Sequence, residues 1–379
     1  MRRTLLVTND FPPVVGGIQS YLDDYTRRLP AEDLVVLAST PPAGAQAAAE
    51  HDATLPFAVH RAPTQVLLPT PDTRKRMTRL IHDEHIETVW FGAAAPLGLL
   101  GGAAHRAGAS RVIATTHGHE VGWSMLPGSR QVLKRVLSEA DVVSYISDYT
   151  LGRLRPFMAP DQQVLRLPSG IDVERFRPDP RARRALRERY HLGESPTVVC
   201  VSRLVARKGQ DSLIQAWPKV VEQVPDAQLV IVGWGSYAKR LALLKRASPV
   251  RDSIILTGAV DAEELPGHVA MGDVFAMPCR TRGRGLDVEG LGIVFLEASA
   301  CGLPVIAGTS GGAPETVVEG VTGNVVDGLD EDALVDALVT QLSDAVLRER
   351  MGRAGRRLMQ EQWTWPSLVE SLVSAINAR

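Results

Sequence analysis

The stretch TVVCVSRLVARKG, residues 197–209, decides the fold that this sequence predicts. It begins as an uninterrupted apolar run of strand-forming residues and continues into a loop with three cations. A strand that is apolar on both faces is typical of a parallel sheet covered by helices on both sides. Ligands of such sheets bind at the carboxyl ends of the strands. The loop at 203–209 is therefore a candidate binding site.

Similar short runs recur along the chain and alternate with helical patterns, which predicts two doubly wound, Rossmann-like α/β domains. A chain of 379 residues is long for one core and comfortable for two. Proline and glycine interrupt the periodicity near residues 167–178, so we expect an N-terminal domain at 1–168, a C-terminal domain at 169–360 and a final helix at 361–379. The predicted strands are Thr4–Thr8, Leu34–Ser39, Phe57–His60, Thr88–Phe91, Arg111–Thr116, Asp141–Ile146, Val164–Leu167, Thr197–Ser202, Gln228–Gly233, Ser253–Thr257, Asp273–Met277, Pro304–Ala307 and Gly323–Val326.

The composition excludes several classes of protein. A net charge of −1 gives no reason to expect a nucleic-acid partner. Cys200, Cys279 and Cys301 are expected to be small buried side chains in a reducing compartment. The apolar run that follows the basic N-terminus is too short for a signal peptide, and no stretch approaches the ~20 apolar residues of a membrane span. We expect a soluble, cytoplasmic protein that is still able to touch a membrane surface.

Two cations in the opening stretch suit a diphosphate. Arg203 offers a planar fork of donors and Lys208 a point charge, so together they neutralise a diphosphate from two sides. Arg207 adds positive field or faces water. The alternative is a solvated charged loop, but the position at a strand end, followed by Gly209, favours binding.

An acid pair occurs further along, in EGLGIVFLE at residues 289–297. On one helix Glu289 and Glu297 would lie near the same face, a little over two turns apart. Gly290 and Gly292 would leave the backbone N–H groups at the helix start open to a ligand. An acid pair for hydroxyls together with a basic pair for phosphates predicts a nucleotide-sugar enzyme.

Three glycine-rich loops follow predicted strands. Gly16 and Gly17 lie at a helix start, where backbone N–H groups approach a phosphate or sugar. Gly233 begins GWGSYA, a weak match to a dinucleotide fingerprint and more typical of a turn that shapes a nucleotide pocket. The loop at 308–315 would close over the nucleotide or phosphates. Each of these segments also fits an ordinary loop.

The segment THGHE, residues 116–120, contains two histidines and a glutamate at a strand end. Alternate histidines on extended backbone point to opposite faces, which argues against a metal site. One of them, His117, is better placed to bond a sugar or acceptor. The acids at 330–332 are expected to cap a helix. We therefore expect no metal and no cofactor, so cations and helix N-termini would stabilise a departing diphosphate.

Together these segments resemble the retaining GT-B glycosyltransferases of family four, over essentially the whole chain. TNDFPP at 8–13, THGHEVGW at 116–123 and the segment 282–292 are similar, more narrowly, to actinobacterial members that transfer mannose from GDP-mannose to phosphatidylinositol mannoside lipids. The resemblance implies a GT-B fold whose two Rossmann-like domains face a deep cleft. The N-terminal domain would bind the acceptor, the C-terminal domain would bind the nucleotide sugar, and the final helix would pack back onto the N-terminal domain.

The resemblance also implies a role for individual residues. Arg203 and Lys208 would grip the donor diphosphate. Arg284 departs from the family pattern, which has glycine there, and this could alter the mobility of its loop. Glu289 would bind a hydroxyl of the donor sugar, and Glu297 would bind the ribose. Gly290, Leu291, Gly292 and Ile293 would contact the donor, Gly16 and Gly17 would leave room for the diphosphate, and Gly233 would form a turn that shapes the pocket. His117 would bond the sugar near its reacting end, and Asp10 would face the acceptor hydroxyl.

The implied partners are GDP-mannose, a phosphatidylinositol mannoside and the anionic inner face of the plasma membrane. A predicted helix with four cations near residues 74–79, interleaved with Met77, Leu80 and Ile81, fits lipid contact or a solvated helix packed on the sheet. Other readings are a family-four enzyme with another donor or acceptor, a nucleotide-sugar epimerase, an oxidoreductase with NAD at 233–238 and a non-catalytic sugar-nucleotide sensor. The residues do not decide between guanine and uracil, or between same-face attack and a covalent intermediate.

Overall fold

A computed structural model describes residues 1–378 of the 379-residue chain. The chain forms two compact units, Met1–Ser169 with Pro366–Arg379, and Gly170–Trp365. None of the helices within residues 1–378 has both the length and the apolar character of a membrane-spanning segment.

The first unit is built on a seven-stranded parallel sheet of order β3-β2-β1-β4-β5-β6-β7. Its strands are β1 Thr4–Thr8, β2 Leu34–Ser39, β3 Ala58–Ala62, β4 Thr88–Phe91, β5 Arg111–Thr116, β6 Val142–Tyr145 and β7 Gln163–Arg166. Its helices are α1 Gly17–Thr26, α2 Ala45–Asp52, α3 Pro71–Asp83, α4 Gly101–Arg106, α5 Glu120–Met125, α6 Pro127–Ser138 and α7 Asp148–Leu154. Every residue of the central strand β1 is buried, as expected of a sheet covered on both faces.

The second unit is built on a six-stranded parallel sheet of order β10-β9-β8-β11-β12-β13. Its strands are β8 Thr197–Val201, β9 Gln228–Val232, β10 Ile254–Gly258, β11 Val274–Met277, β12 Val305–Gly308 and β13 Gly323–Val326. Its helices are α8 Pro180–Arg189, α9 Gln210–Gln223, α10 Ala238–Ala247, α11 Leu265–Ala270, α12 Ile293–Ala300, α13 Glu331–Ser343 and α14 Ala345–Gln362. All three cysteines are buried, as predicted.

The prediction of two doubly wound sheets is confirmed. Each of the thirteen predicted strands is present within residues 1–378, and its ends lie within two residues of the predicted ones. In each unit the strand order reverses beside a central strand, at β1 and β4 in the first unit and at β8 and β11 in the second. Ligands of such sheets bind at this switch point. The motifs at 9–17 and 203–209 directly follow β1 and β8.

The final helix, α15, spans Trp365–Asn377 and thus begins four residues later than the predicted residue 361. Residues 361 and 362 instead end α14. The helix stops there because the backbone N–H of Ile171 donates to the carbonyl of Trp363 at 2.8 Å, and Ile171 and Thr364 form a parallel bridge. The end of α15 bonds to the first unit: the N–H of Arg2 donates to the side-chain oxygen of Asn377 at 2.8 Å.

The apolar side of α3 belongs to the core of the first unit. Met77 and Ile81 are buried there. Of the two arrangements that the sequence allowed, the structure has the helix packed on the sheet, and Leu80 is partly buried against the same core, so these apolar residues do not form a lipid-facing surface. The exposed side chains of α3 include the cations Arg74, Lys75 and Arg79 and the acids Asp72 and Asp83.

Candidate active site

The cation loop begins where β8 ends. The N–H of Leu204 donates to the carbonyl of Trp234 at 3.0 Å, which fixes the backbone directly after Arg203. The Arg203 side chain is exposed and has no ion pair within residues 1–378. Lys208, by contrast, is buried at the end of a 3-10 turn, Ala206–Lys208. The loop therefore offers one solvated and one buried cation.

Lys208 and Glu289 face each other. The Lys208 Nζ lies 2.6 Å from Oε2 of Glu289, and Arg207 Nε lies 3.7 Å from the same oxygen. Both members of the close pair are buried, so their charges attract each other strongly. The predicted phosphate ligand and the predicted sugar ligand are therefore adjacent. A sugar and a phosphate held by this pair would be neighbours, as they are in a nucleotide sugar.

The glycine-rich loop at 308–315 holds the backbone of Glu289. The N–H of Glu289 donates to Oγ of Ser310 at 3.1 Å, and the N–H of Gly312 donates to the Glu289 carbonyl at 3.0 Å. Gly311 has φ 56°, and a Cβ there would lie 1.9 Å from that carbonyl oxygen. Only glycine fits this close approach. The loop thus fixes the position of the carboxylate.

The expectation that Glu289 and Glu297 share one helix is wrong. The helix α12 begins at Ile293, and Glu289 lies in the irregular segment before it. Gly292 caps the helix at φ 90° and ψ 70°, a left-handed conformation that helical backbone does not continue through. The first N–H groups of α12 consequently lie directly after the segment that carries Glu289. The first N–H groups of a helix have no partner within the helix, so they suit a polar ligand.

The carboxylate of Glu297 is able to accept a further hydrogen bond. Its Oε2 is buried and has no hydrogen-bond partner within residues 1–378. Burial raises the pKa of Glu297 to about 7, although the charges of Arg175 and Lys208 act in the opposite direction. A buried carboxylate oxygen without a donor suits the hydroxyl of a ligand.

The turn at 233–238 packs against the cation loop and is hydrogen-bonded to it. A Cβ on Gly233 would lie 2.0 Å from the carbonyl oxygen of Ser202, so the two backbones are in close contact. The N–H of Tyr237 donates to the carbonyl of Leu204 at 3.0 Å. Position 233 therefore requires glycine, because its backbone packs directly against the start of the cation loop.

A buried ionic network also supports the cation loop, and sequence reasoning missed it. Arg280 Nη2 lies 2.6 Å from Oδ2 of Asp211, which also accepts from the Tyr237 hydroxyl at 3.0 Å. The N–H of Arg280 donates to the carbonyl of Arg207 at 2.8 Å. The available signals were an acid in the first turn of α9 and an arginine just after β11, both at the ligand-binding edge of the sheet.

In the first unit, His117 lies after β5 with its ring orientation fixed. Its Nε2 donates to the carbonyl of Gly92 at 2.7 Å, and the ring meets that of Tyr21 edge-on at 4.9 Å between centroids. Burial lowers the pKa of His117 despite the nearby Glu120. A neutral ring that donates through Nε2 keeps Nδ1 as an acceptor for a hydroxyl.

Glu120 organises this segment, a role that its place in the sequence motif did not reveal. It is fully buried, and its Oε2 accepts from the N–H groups of His117 and Gly118 at 3.0 and 3.1 Å. The expectation that His117 and His119 point to opposite faces is wrong. Gly118 turns the backbone at φ 95°, so the two rings stack at 6.4 Å. Within residues 1–378, no group of three or more His, Cys, Asp or Glu side chains is arranged to hold a metal ion.

Asp10 lies at the end of β1 and is held in place. Its N–H donates to Oγ1 of Thr8 at 2.9 Å, and its Oδ1 accepts from Gln19 Nε2 at 2.8 Å. Burial raises the pKa of Asp10, and the neighbouring histidines partly offset this. The helix α1 begins at Gly17, where a Cβ would meet no atom within 4 Å. Packing within the protein therefore does not require glycine at position 17.

Family profiles match both units. The profile described as Glycosyltransferase Family 4 matches residues 15–175, and the one described as Glycosyl transferases group 1 matches residues 182–358. The two doubly wound units and the profiles that match them define a glycosyltransferase of GT-B fold, and the chain belongs to the family-four glycosyltransferases.

Several curated proteins are similar to this chain over nearly their full length. The GDP-mannose-dependent alpha-(1-6)-phosphatidylinositol monomannoside mannosyltransferase of Mycolicibacterium smegmatis is 52% identical and matches 99% of this chain and 98% of its own. The corresponding protein of Corynebacterium glutamicum, which acts on a monoacylated form, is 51% identical and matches 100% and 98%. Among solved structures, Anabaena HepE in complex with UDP has a TM-score of 0.82 at 18% identity and covers 99% of both chains, a likeness in fold.

Proposed function

We propose that this protein transfers mannose from GDP-mannose to a phosphatidylinositol monomannoside lipid, with retention at the anomeric carbon. The observation that supports this most is the identity of 51–54%, over nearly full length, to proteins named for that activity. The adjacent Lys208 and Glu289 support it independently, because a nucleotide sugar needs a cation and a hydroxyl acceptor side by side.

In the proposed reaction, negative charge grows on the departing diphosphate as the bond to mannose opens. Arg203 and Lys208 stabilise that charge, so they contribute more to the transition state than to the bound donor. Arg203 is solvated and free to fold onto the phosphates, whereas Lys208 is already fixed by Glu289. The cations take the place of a divalent metal, which makes the proposed activity independent of metal and of any other cofactor.

Several residues have proposed roles toward the sugar and the acceptor. Glu289 accepts a hydrogen bond from a hydroxyl of mannose, and the backbone N–H groups near Gly290–Ile293, at the start of α12, donate further hydrogen bonds to the sugar. Nδ1 of His117 accepts a hydrogen bond from a sugar hydroxyl, because Nε2 already donates to the carbonyl of Gly92. Gly16 and Gly17 leave space for the diphosphate, and Asp10 faces the hydroxyl of the acceptor.

Glu297 binds the ribose, so nucleotide binding should depend on pH. Ribose hydroxyls donate to the ionised carboxylate, whereas burial raises the pKa of the unliganded group to about 7. GDP affinity should therefore fall as pH drops below 7, and binding at pH 6.5 should release a proton. Calorimetry in buffers of different ionisation enthalpy measures that release. The Glu297→Gln variant serves as the control and should release fewer protons, because only the release from the nucleotide phosphate remains; proton release equal to the parent's would refute the ribose role.

We also propose that the reaction takes place at the inner face of the plasma membrane, and a lipid acceptor supports a location at a membrane. Val66 and Leu68, in the loop before α3, are 58% and 51% exposed and precede the exposed cations Arg74 and Lys75 by six to nine residues. Apolar side chains flanked by cations suit the surface of an anionic bilayer.

Vesicle co-sedimentation tests this contact. The parent should bind phosphatidylglycerol vesicles at low salt, and binding should weaken as salt is added, because the charge contribution is screened. A Val66→Asp, Leu68→Asp variant should bind several-fold less. The same double change at Leu243 and Val346, exposed apolar residues of the second unit, is the matched control. Equal binding by both variants would refute this surface.

A donor panel tests the reaction itself. GDP-mannose, UDP-glucose and UDP-N-acetylglucosamine are each incubated with phosphatidylinositol monomannoside, with and without EDTA, and products are read by mass spectrometry. We expect one added hexose from GDP-mannose alone, unaffected by EDTA. Transfer from a UDP-sugar would change the donor assignment, free sugar without acceptor product would favour an epimerase or hydrolase, and loss with EDTA would refute metal independence.

A further inference from the structure

A short hairpin directly precedes Glu289. The N–H of Arg282 donates to the carbonyl of Asp287 at 2.9 Å, and the N–H of Asp287 donates back at 3.2 Å. Between them the chain turns through Arg284, which adopts a left-handed conformation with φ 56° and ψ 32°. Non-glycine residues rarely take this conformation, and when they do, the strain often accompanies a function.

The base of this hairpin is tied to the active-site candidate on both sides. Before it, Oγ1 of Thr281 lies 3.2 Å from Oγ of Ser310, the hydroxyl that accepts from the N–H of Glu289. After it, Oδ1 of Asp287 lies 3.7 Å from Nη1 of Arg207. The base of the hairpin therefore contacts two residues, Ser310 and Arg207, that lie against Glu289.

The tip itself carries positive charge that the protein does not neutralise. The side chains of Arg282 and Arg284 are exposed and make no hydrogen bond or ion pair within residues 1–378. Leu286 beside them is 56% exposed. Two exposed guanidinium groups on one turn, two residues apart in the sequence, give a local positive charge that attracts an anion.

We propose that Arg282 and Arg284 bind the phosphodiester of the lipid acceptor. This inference rests on the proposed function, which brings two phosphate groups to the enzyme. Arg203 and Lys208 serve the donor diphosphate, which leaves the phosphodiester between inositol and glycerol without a partner. The guanidinium fork matches phosphate oxygens, and the exposed Leu286 lies where the apolar part of a lipid would follow its phosphate.

Steady-state kinetics of matched variants test the site. Arg284→Gln and Arg282→Gln should each raise the KM for phosphatidylinositol monomannoside roughly tenfold, as expected for one lost charge-assisted hydrogen bond. The kcat and the KM for GDP-mannose should stay within about twofold. Arg284→Lys should recover part of the loss, because it restores charge without the fork. Arg246→Gln, at an exposed arginine of α10, is the matched control and should change nothing.

Two soluble acceptors separate the acceptor phosphodiester from phosphates of the bulk membrane. With deacylated glycerophosphoinositol monomannoside, the Arg284→Gln defect should persist; with phosphate-free mannosyl-inositol, parent and variant should have equal KM. A defect seen only on vesicles would show that bulk lipid is bound, and a raised KM for GDP-mannose would assign the tip to the donor. Either result overturns the proposal.

Binding without turnover keeps this inference separate from the proposed function. Calorimetric titration of the glycerophosphoinositol monomannoside into the GDP-loaded protein should show binding that weakens in Arg284→Gln. If the parent transfers no mannose yet shows this difference, the proposed reaction fails and the phosphodiester site stands. Equal binding by parent and variant would overturn the site whatever the activity.

Discussion

Replacing Lys208 with alanine is expected to lower the turnover of mannosyl transfer by roughly 10³-fold, at the upper end for the loss of one preorganised charge stabiliser. The same change should destabilise the protein by roughly 1–3 kcal/mol, because the buried carboxylate of Glu289 loses its nearest cation and keeps only Arg207, 3.7 Å away. Rapid-mixing kinetics and urea unfolding measure the two effects on the same preparation.

A paired variant separates folding from chemistry. Lys208→Met combined with Glu289→Gln removes both charges, so no buried carboxylate is left without its nearest cation and most of the lost stability should return. Turnover should remain low, because both ligands of the donor are absent. If this double variant regained turnover to within tenfold of the parent, Lys208 would be a structural cation and not a catalytic one.

The second large effect is expected at Arg203. The Arg203→Ala variant should lower kcat by about 10²–10³-fold, since the guanidinium stabilises charge that develops during bond cleavage. Its unfolding free energy should change by less than about 0.5 kcal/mol, because the side chain is exposed and has no ion pair within residues 1–378. This contrast with Lys208 follows directly from their different burial.

Arg246→Ala serves as the control for Arg203, because it removes an exposed arginine from the same unit. It should leave both kcat and stability at the parent's values. An Arg203→Ala variant whose kcat stays within twofold of the parent would remove Arg203 from the mechanism.

The sheets were predictable because their strands are local signals. Runs such as TVVCV at 197–201 are apolar at every position, and a strand buried on both faces needs nothing else from the sequence to be recognised. The cation loop was predictable for the same reason, since its place depends only on where β8 ends.

Other features depend on partners far along the chain. The start of α12 is decided by the left-handed Gly292 and by the contact of Glu289 with Ser310, twenty-one residues away. The ion pair of Asp211 with Arg280 joins residues sixty-nine positions apart. Spacing along the sequence does not reveal such contacts, because the fold creates them.

The interleaved apolar residues of α3 show a further limit. Met77 and Ile81 fit a lipid-facing pattern and a core-facing pattern equally well, because amphipathic periodicity reports one apolar face and not what covers it. The sheet of the first unit covers that face.

Equilibrium binding of GDP and GMP tests the central claim most directly, because the two nucleotides differ only in the phosphate that the cations are proposed to hold. The parent should bind GDP at least about 100-fold more tightly than GMP, and Arg203→Ala should reduce that ratio to below roughly tenfold. If the parent binds both equally, or if the variant loses the same factor for each, then these cations do not hold the terminal phosphate and the proposed mechanism is wrong.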